Sequence, residues 1–239
     1  MPYTRRATAF VAGATGYTGR EVVRLLVKRG ARVVAHVRSD SPQLAEWRQR
    51  FSAMGAETDA TPWEPAAMRG ALGRVDPSHL FALLGTTRKR ERALGRDGAA
   101  GYEAVDYGLT SLLVQAAKDA GIHPRVVYLS AAGVGPGSRN AYIAVRWRME
   151  QELRASGLPF VIARPSFVTG ADREERRPTE RVLAAMADRL LAVPAALGGR
   201  EFADRWRSLT ATELATALVK LAFDPAAEGK VVDAAAMRG

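Results

Sequence analysis

The chain has no cysteine among its 239 residues, which excludes disulfide stapling, thiolate catalysis and sulfur-ligated zinc or iron–sulfur sites. It has only three histidines, His36, His79 and His123, in different segments and at no metal-ligand spacing. They read as structural, and no metal is expected. No run approaches the roughly 18 consecutive apolar residues needed to span a bilayer, so no membrane partner is expected. Met1 to Arg6 is short and basic and runs directly into a strand-like segment. It does not read as a signal peptide, and the expectation is a cytosolic protein. Lysine is scarce, at five of the 35 basic residues, so arginine carries the positive charge.

What is present is an ordinary globular composition, 47% hydrophobic and 25% charged, which excludes a disordered chain. At about 100–200 residues per domain, one domain is the default. The net charge of +10 suits a polyanion partner or a solvated basic surface. The basic residues are spread along the whole chain and no helix-turn-helix or basic–aromatic stripe is evident, so the second reading is favoured and nucleic acid is not expected as a partner.

Short β-branched apolar runs, Thr8–Val11, Val33–Val37, Leu80–Leu84, Val126–Leu129 and Phe160–Ala163, alternate with stretches of helical spacing. Those stretches are Arg20–Arg29, Gln43–Met54, Pro65–Leu72, Tyr107–Ala120 and Asn140–Ser156. Alternation of this kind predicts βαβ units and a parallel sheet. The strand segments are continuously apolar, which predicts a sheet covered on both faces. From Asp172 onward the pattern changes to a charged run, a helix near Thr179–Leu191, an aromatic–basic segment Phe202–Trp206, a helix near Ala211–Phe223 and a short strand Lys230–Ala234. Residues 1–239 are expected to form one domain, with 1–170 the core and 171–239 a cap segment plus the last strand.

One motif carries the functional reading. The first apolar run ends at Gly13-Ala14-Thr15-Gly16-Tyr17-Thr18-Gly19-Arg20, where a helix is predicted to start. Glycines spaced G-x-x-G-x-x-G let the chain turn sharply, approach a diphosphate with bare backbone, and pack the helix closely on the sheet. The helix N-terminus then offers free N–H groups to the phosphates. About 20 residues on, the second strand should meet the adenosine ribose. The chain has Arg38-Ser39-Asp40 there. An arginine and a serine suit a 2′-phosphate, so NADP(H) is preferred over NAD(H), with Asp40 read as a helix cap.

The chain resembles the atypical short-chain dehydrogenase/reductases, specifically the NAD(P)H-binding group that includes NmrA-like proteins and the Tat-interacting-protein type of oxidoreductase. The resemblance rests on the glycine motif, Leu84-Gly85-Thr86-Thr87-Arg88, Val105-Asp106-Tyr107, Leu129-Ser130-Ala131-Ala132-Gly133, Tyr142–Arg146, Arg164-Pro165-Ser166 and the string from Arg173 to Glu180. It implies a Rossmann-like, doubly wound α/β fold with helices on both faces and a small C-terminal substrate-covering segment. It implies a cofactor site built from Gly13, Thr15, Gly16, Tyr17, Thr18, Gly19, Arg38, Ser39, Leu84, Gly85, Thr86, Thr87, Arg146, Pro165, Ser166 and Phe167.

For chemistry, the resemblance implies a tyrosine that gives a proton to the substrate oxygen, a lysine four residues later that binds the nicotinamide ribose, and a serine that holds the carbonyl. This chain offers Tyr142 and, in place of the lysine, Arg146. The exchange keeps the charge but not the shape. At the serine position the family usually shows two serines, where this chain has Ser130-Ala131, so Ser130 serves only if its hydroxyl faces the pocket. Tyr142, Arg146 and Ser130 are therefore the candidate catalytic residues, with a non-catalytic helix-surface pair as the alternative for the first two. Three functions stay open: an NADPH-dependent reductase of a small carbonyl or quinone-like acceptor, a catalytically impaired NADP(H) binder that reports redox state, and a polyanion-binding basic protein. A small-molecule substrate is expected, with a homodimer or a protein partner.

Overall fold

The computed structural model describes residues 6–86, 98–166, 168–169 and 209–238. Seven strands form one sheet: β1 (Thr8–Ala12), β2 (Arg32–His36), β3 (Glu57–Asp59), β4 (His79–Ala82), β5 (Arg125–Leu129), β6 (Phe160–Arg164) and β9 (Val231–Asp233). Their order is β3-β2-β1-β4-β5-β6-β9, and every neighbouring pair is parallel. Two short strands, β7 (Val168–Thr169) and β8 (Leu209–Thr210), pair separately. The fold is α/β and doubly wound, as the alternation of apolar runs and helical spacing predicts.

The strands form where the chain is continuously apolar. All five residues of β1 are buried, as are the central residues of β5 and β6. Such strands gain nothing from water on either face and need a helix layer on both. One layer holds α1 (Tyr17–Lys28), α2 (Leu44–Met54) and α6 (Ala211–Phe223), packed on Val11, Val33, Ala35 and Phe81. The other holds α3 (Pro65–Val75), α4 (Leu109–Asp119) and α5 (Ala141–Ala155), packed on Phe10, Leu80, Val126 and Tyr128. Burying a side chain such as Phe10 or Phe81, both fully inaccessible, contributes about 1.5–3 kcal/mol each.

Local chemistry sets several helix starts. Pro65 occupies the first turn of α3, where its missing N–H is not needed. Asn140 Oδ1 accepts from the N–H groups of Tyr142 and Ile143 and so opens α5. Thr210 and Glu213 form a reciprocal capping box that opens α6.

The C-terminal part differs from the sequence expectation in one respect. The helix at 211–223 is not part of a cap. Leu214, Ala215 and Leu218 of α6 are buried in the same core as Val22, Val23 and Leu26 of α1. The strand that follows, β9, joins the main sheet beside β6. In the sequence, the charged run from Asp172 to Pro178 breaks the alternation before it resumes at Ala211. The predicted helix near Thr179–Leu191 and the Phe202–Trp206 segment lie outside the described residues.

Candidate cofactor and active site

Because all the strands are parallel, their carboxyl ends share one edge of the sheet. The strand order reverses between β1 and β4, and ligands of open α/β sheets bind in the crevice at such a point. The predicted glycine turn lies there. Gly13 follows β1 with φ +84°, a left-handed conformation that favours glycine. A Cβ at Gly13 would stand 2.6 Å from the carbonyl oxygen of Leu83, at the end of β4. A Cβ at Gly19 would stand 2.1 Å from the carbonyl oxygen of Gly13. The first glycine therefore lets the turn meet β4, and the third lets α1 seat against the turn.

Gly16 is different. It is exposed, extended at φ −70° and ψ 164°, and caps α1 without a side-chain hydrogen bond. The first turn of α1 contains no acidic residue. Its backbone N–H groups and the positive end of the helix face a surface with no Cβ in the way, an arrangement that fits a diphosphate. Thr15, Tyr17 and Thr18 are half-buried around it. At the end of β2, Arg38 and Ser39 are exposed, and Arg38 lies 3.6 Å from Asp40. Asp40 thus faces Arg38, and the residue at the N-cap of α2 is Gln43.

The β4 edge of the crevice is held from behind. Asp106 lies in a seven-residue π-helical segment, Tyr102–Gly108, that runs into α4. Such segments are rare and concentrate at functional sites. The Asp106 carboxylate accepts from the backbone N–H of Thr86 at 3.0 Å and from Arg146 Nη2 at 2.5 Å. Arg146 Nη2 also donates to the carbonyl of Leu84 at 3.2 Å. Arg146 Nη1 donates to the carbonyl of Leu129 and, at 3.4 Å, to the hydroxyl of Tyr128. One guanidinium therefore ties the carboxyl ends of β4 and β5 to α5. Gly85 has room for it only as glycine, since a Cβ there would be 2.9 Å from Arg146 Nη2.

This geometry revises the expected role of Arg146. The family's lysine position is expected to hold a ribose. Here all four terminal N–H groups of the guanidinium are spent on protein oxygens. Only Nε lacks a partner, and it is buried. Burial works against the guanidinium charge, but Tyr142, Tyr128 and Asp106 outweigh it, and the group stays charged. Burial likewise pushes the Tyr128 phenol up, against the pull of Arg146. Tyr142 stands half-buried in the first turn of α5, with the Arg146 guanidinium carbon 5.2 Å from its ring centre. The ring of Tyr102 meets it edge-on at 5.2 Å.

Ser130 does not meet the condition set for it. Its hydroxyl donates to Glu150 Oε1 at 2.6 Å. Glu150 is fully buried and also accepts two hydrogen bonds from Arg164 and one from Arg154. The serine's single donor is therefore turned toward α5. Ser130 N–H donates to Ala163, and Ala132 N–H to Pro165, so the segments after β5 and β6 run on together. Pro165 is buried and Ser166 half-buried at the end of β6. Thr87 and Phe167 lie outside the described residues.

Sequence reasoning did not single out Glu150, Tyr128 or the partner role of Asp106. Glu150 was detectable as the next residue on the helix face that carries Tyr142 and Arg146. His36 is buried, bonds the Thr61 carbonyl at 2.8 Å and packs against Trp63. Trp63 thereby serves the core at the β3 end of the crevice.

A family model described as NAD(P)H-binding matches residues 13–199. A protein named FMP52, mitochondrial, from Debaryomyces hansenii is 23% identical over 93% of this chain and 90% of its own length. Its namesake from Aspergillus clavatus is 31% identical over 73% of this chain and 71% of its own length. The names of these relatives overturn the expectation of a cytosolic protein, which rested only on the lack of a recognisable export signal. Among solved structures, a UDP-glucose 4-epimerase from Thermotoga maritima superposes with a TM-score of 0.64 at 16% identity, covering 94% of this chain and 75% of that one. The Bordetella bronchiseptica enzyme WbmH, solved with NAD+, gives a TM-score of 0.60 at 19% identity, covering 90% and 72%. At these identities the structures support the fold alone. The glycine turn at the switch point and the family match lead to one assignment: the chain belongs to the NAD(P)H-binding family, in the atypical short-chain dehydrogenase/reductase group.

Proposed function

We propose that the protein is an NADP(H)-dependent oxidoreductase that reduces a small carbonyl or quinone-like acceptor, with Tyr142 as proton donor. The observation that carries this reading is the stack of Tyr142 on the Arg146 guanidinium, 5.2 Å from ring centre to guanidinium carbon. A fixed buried cation beside a phenol stabilises negative charge that develops on its oxygen as the proton leaves. Asp106 and the two strand carbonyls hold that cation in place, so it need not reorganise during the reaction. The bound nicotinamide would supply the hydride. The chain's own part is to give one proton from the Tyr142 hydroxyl to the acceptor oxygen and to regain it from solvent. Gly13, Gly16 and Gly19 shape the diphosphate seat. Arg38 and Ser39 favour a phosphate on the adenosine ribose.

The test is a parallel titration with NADPH and NADH, followed by an acceptor screen with the better-bound cofactor. NADPH is expected to bind more tightly, and Tyr142→Phe to bind it equally but lose at least about 100-fold in turnover. Turnover that survives Tyr142→Phe overturns the assignment. A second reading, a cofactor binder that reports redox state, is favoured by the commitment of Ser130 to Glu150 and of Arg146 to protein oxygens. It predicts tight NADPH binding with no turnover on any acceptor.

A further inference from the structure

We infer that Asp106 is a positioning residue that offsets the charge of Arg146, so that the Tyr142 hydroxyl keeps its proton for an acceptor oxygen and the site works in the direction of reduction. The inference deepens the proposed reductase and rests on it. A lone cation beside a phenol favours the phenolate, which is a base and suits alcohol oxidation. A cation closely paired with an anion acts at a distance as a dipole, and its pull on a neighbouring phenol weakens. The pair here is close and dry. Asp106 Oδ1 lies 2.5 Å from Arg146 Nη2, and the two side chains are 0% and 5% exposed, so solvent screens the pair little. Gly85 borders both partners, since a Cβ there would stand 2.9 Å from Arg146 Nη2 and 3.4 Å from Asp106 Oδ1.

Two segments meet side by side to make this arrangement. Tyr102 and Asp106 ride on the π-helical segment, and they face Tyr142 and Arg146 of α5 ring to ring and charge to charge. A second phenol on the same guanidinium shows the sign of the effect. Tyr128 of β5 has the Arg146 guanidinium carbon 5.6 Å from its ring centre, against 5.2 Å for Tyr142. Burial pushes the Tyr128 phenol up, Arg146 pulls it down, and Asp106 and Tyr142 push it up again. Among the described residues, the titratable and charged groups around Tyr142 are therefore Tyr102, Tyr128, Arg146 and, through Arg146, Asp106. The offset is partial. The guanidinium still stacks on Tyr142 and meets the charge that develops as the proton leaves. What Asp106 removes is the excess pull that would strip the proton from the resting hydroxyl. A merely structural role, tying the Thr86 N–H to α5, would leave that proton untouched.

The test reads the Tyr142 proton directly, with neither cofactor nor acceptor present. Full-length protein labelled at the tyrosine Cζ carbons is titrated with pH by carbon NMR, and the Tyr142 signal is the one that Tyr142→Phe removes. Asp106→Asn is expected to lower the titration midpoint of Tyr142 by about one pH unit, on the scale of one nearby charge. The double variant Asp106→Asn with Arg146→Gln strands no charge, and its midpoint should stay within about half a unit of the wild type. An unchanged or higher midpoint in Asp106→Asn overturns the inference. So does a double variant shifted up by about one unit or more, which would mean that Arg146 acts unopposed. That second comparison decides the matter even if Asp106→Asn alone does not fold. The proposed function is judged separately, on turnover. The alkaline fall in acceptor reduction should move down with the Tyr142 midpoint in Asp106→Asn. If the midpoint moves and the reduction profile does not, the offset stands and the assignment of Tyr142 as proton donor falls.

Discussion

Asp106 and Arg146 form an ion pair at 2.5 Å in which the carboxylate side chain is 0% exposed and the guanidinium side chain 5%. A buried pair contributes little net stability relative to apolar residues, yet losing one partner strands the other charge. Asp106→Ala is therefore expected to cost about 3–5 kcal/mol. Arg146→Lys should also destabilise, because an ammonium cannot reach Leu84, Leu129, Tyr128 and Asp106 together. Urea unfolding of both variants checks this. A midpoint unchanged in Asp106→Ala would mean that the pair is not closed in solution.

The second prediction separates two glycines that the motif treats alike. Gly19→Ala places a Cβ 2.1 Å from the Gly13 carbonyl oxygen and forces backbone movement. It should lose about 1–3 kcal/mol of stability. Gly16→Ala meets only that same oxygen at 3.2 Å, from an exposed position at an ordinary φ of −70°. It should unfold at nearly the wild-type temperature but bind NADPH about 10-fold or more weakly, because the new methyl occupies the phosphate approach. Wild-type NADPH affinity in a folded Gly16→Ala protein would count against the diphosphate seat.

These two cases show what the sequence made readable. Glycine spacing, apolar runs and helix punctuation are local signals, and they place β1, α1, α2, α5 and the switch-point turn to within a few residues. Other features are not local. β3 is Glu57-Thr58-Asp59, polar throughout, and forms because an edge strand needs a partner on one side only. Asp106 reads as part of a helix opening, and only the π-helical turn aims it at a residue 40 positions away. Ser130 looks available until the fold brings Glu150 to its hydroxyl.

A third prediction concerns pH. Burial, the largest cause, holds the His36 imidazole below its usual value of 6.5, while the Thr61 carbonyl and Asp59 pull weakly the other way. The unfolded chain therefore takes up a proton near pH 6.5 that the folded chain refuses. Stability from this group is complete above pH 6.5 and is lost as pH falls from there toward the folded value. The slope is at most about 1.4 kcal/mol per pH unit. Thermal unfolding of wild type and His36→Gln between pH 7.5 and 5 should show a shallower acid decline in the variant. Parallel curves would mean that His36 protonates freely in the folded state.

The last prediction decides what Ser130 does. Its hydroxyl gives Glu150 one of four hydrogen bonds, the other three coming from Arg164 and Arg154. Removing the serine leaves the buried carboxylate still paired with two cations, so Ser130→Ala should cost only about 1 kcal/mol. Removing the charge instead leaves Arg164 and Arg154 facing a neutral amide, and Glu150→Gln should cost about 3–5 kcal/mol. If Ser130 holds the substrate carbonyl, Ser130→Ala loses on the order of 100-fold in kcat while remaining folded. If it serves Glu150 alone, kcat changes by no more than a few-fold, and the effect appears in the unfolding midpoint. The geometry favours the second outcome, because turning the hydroxyl toward a substrate would deprive a fully buried carboxylate of a donor at 2.6 Å.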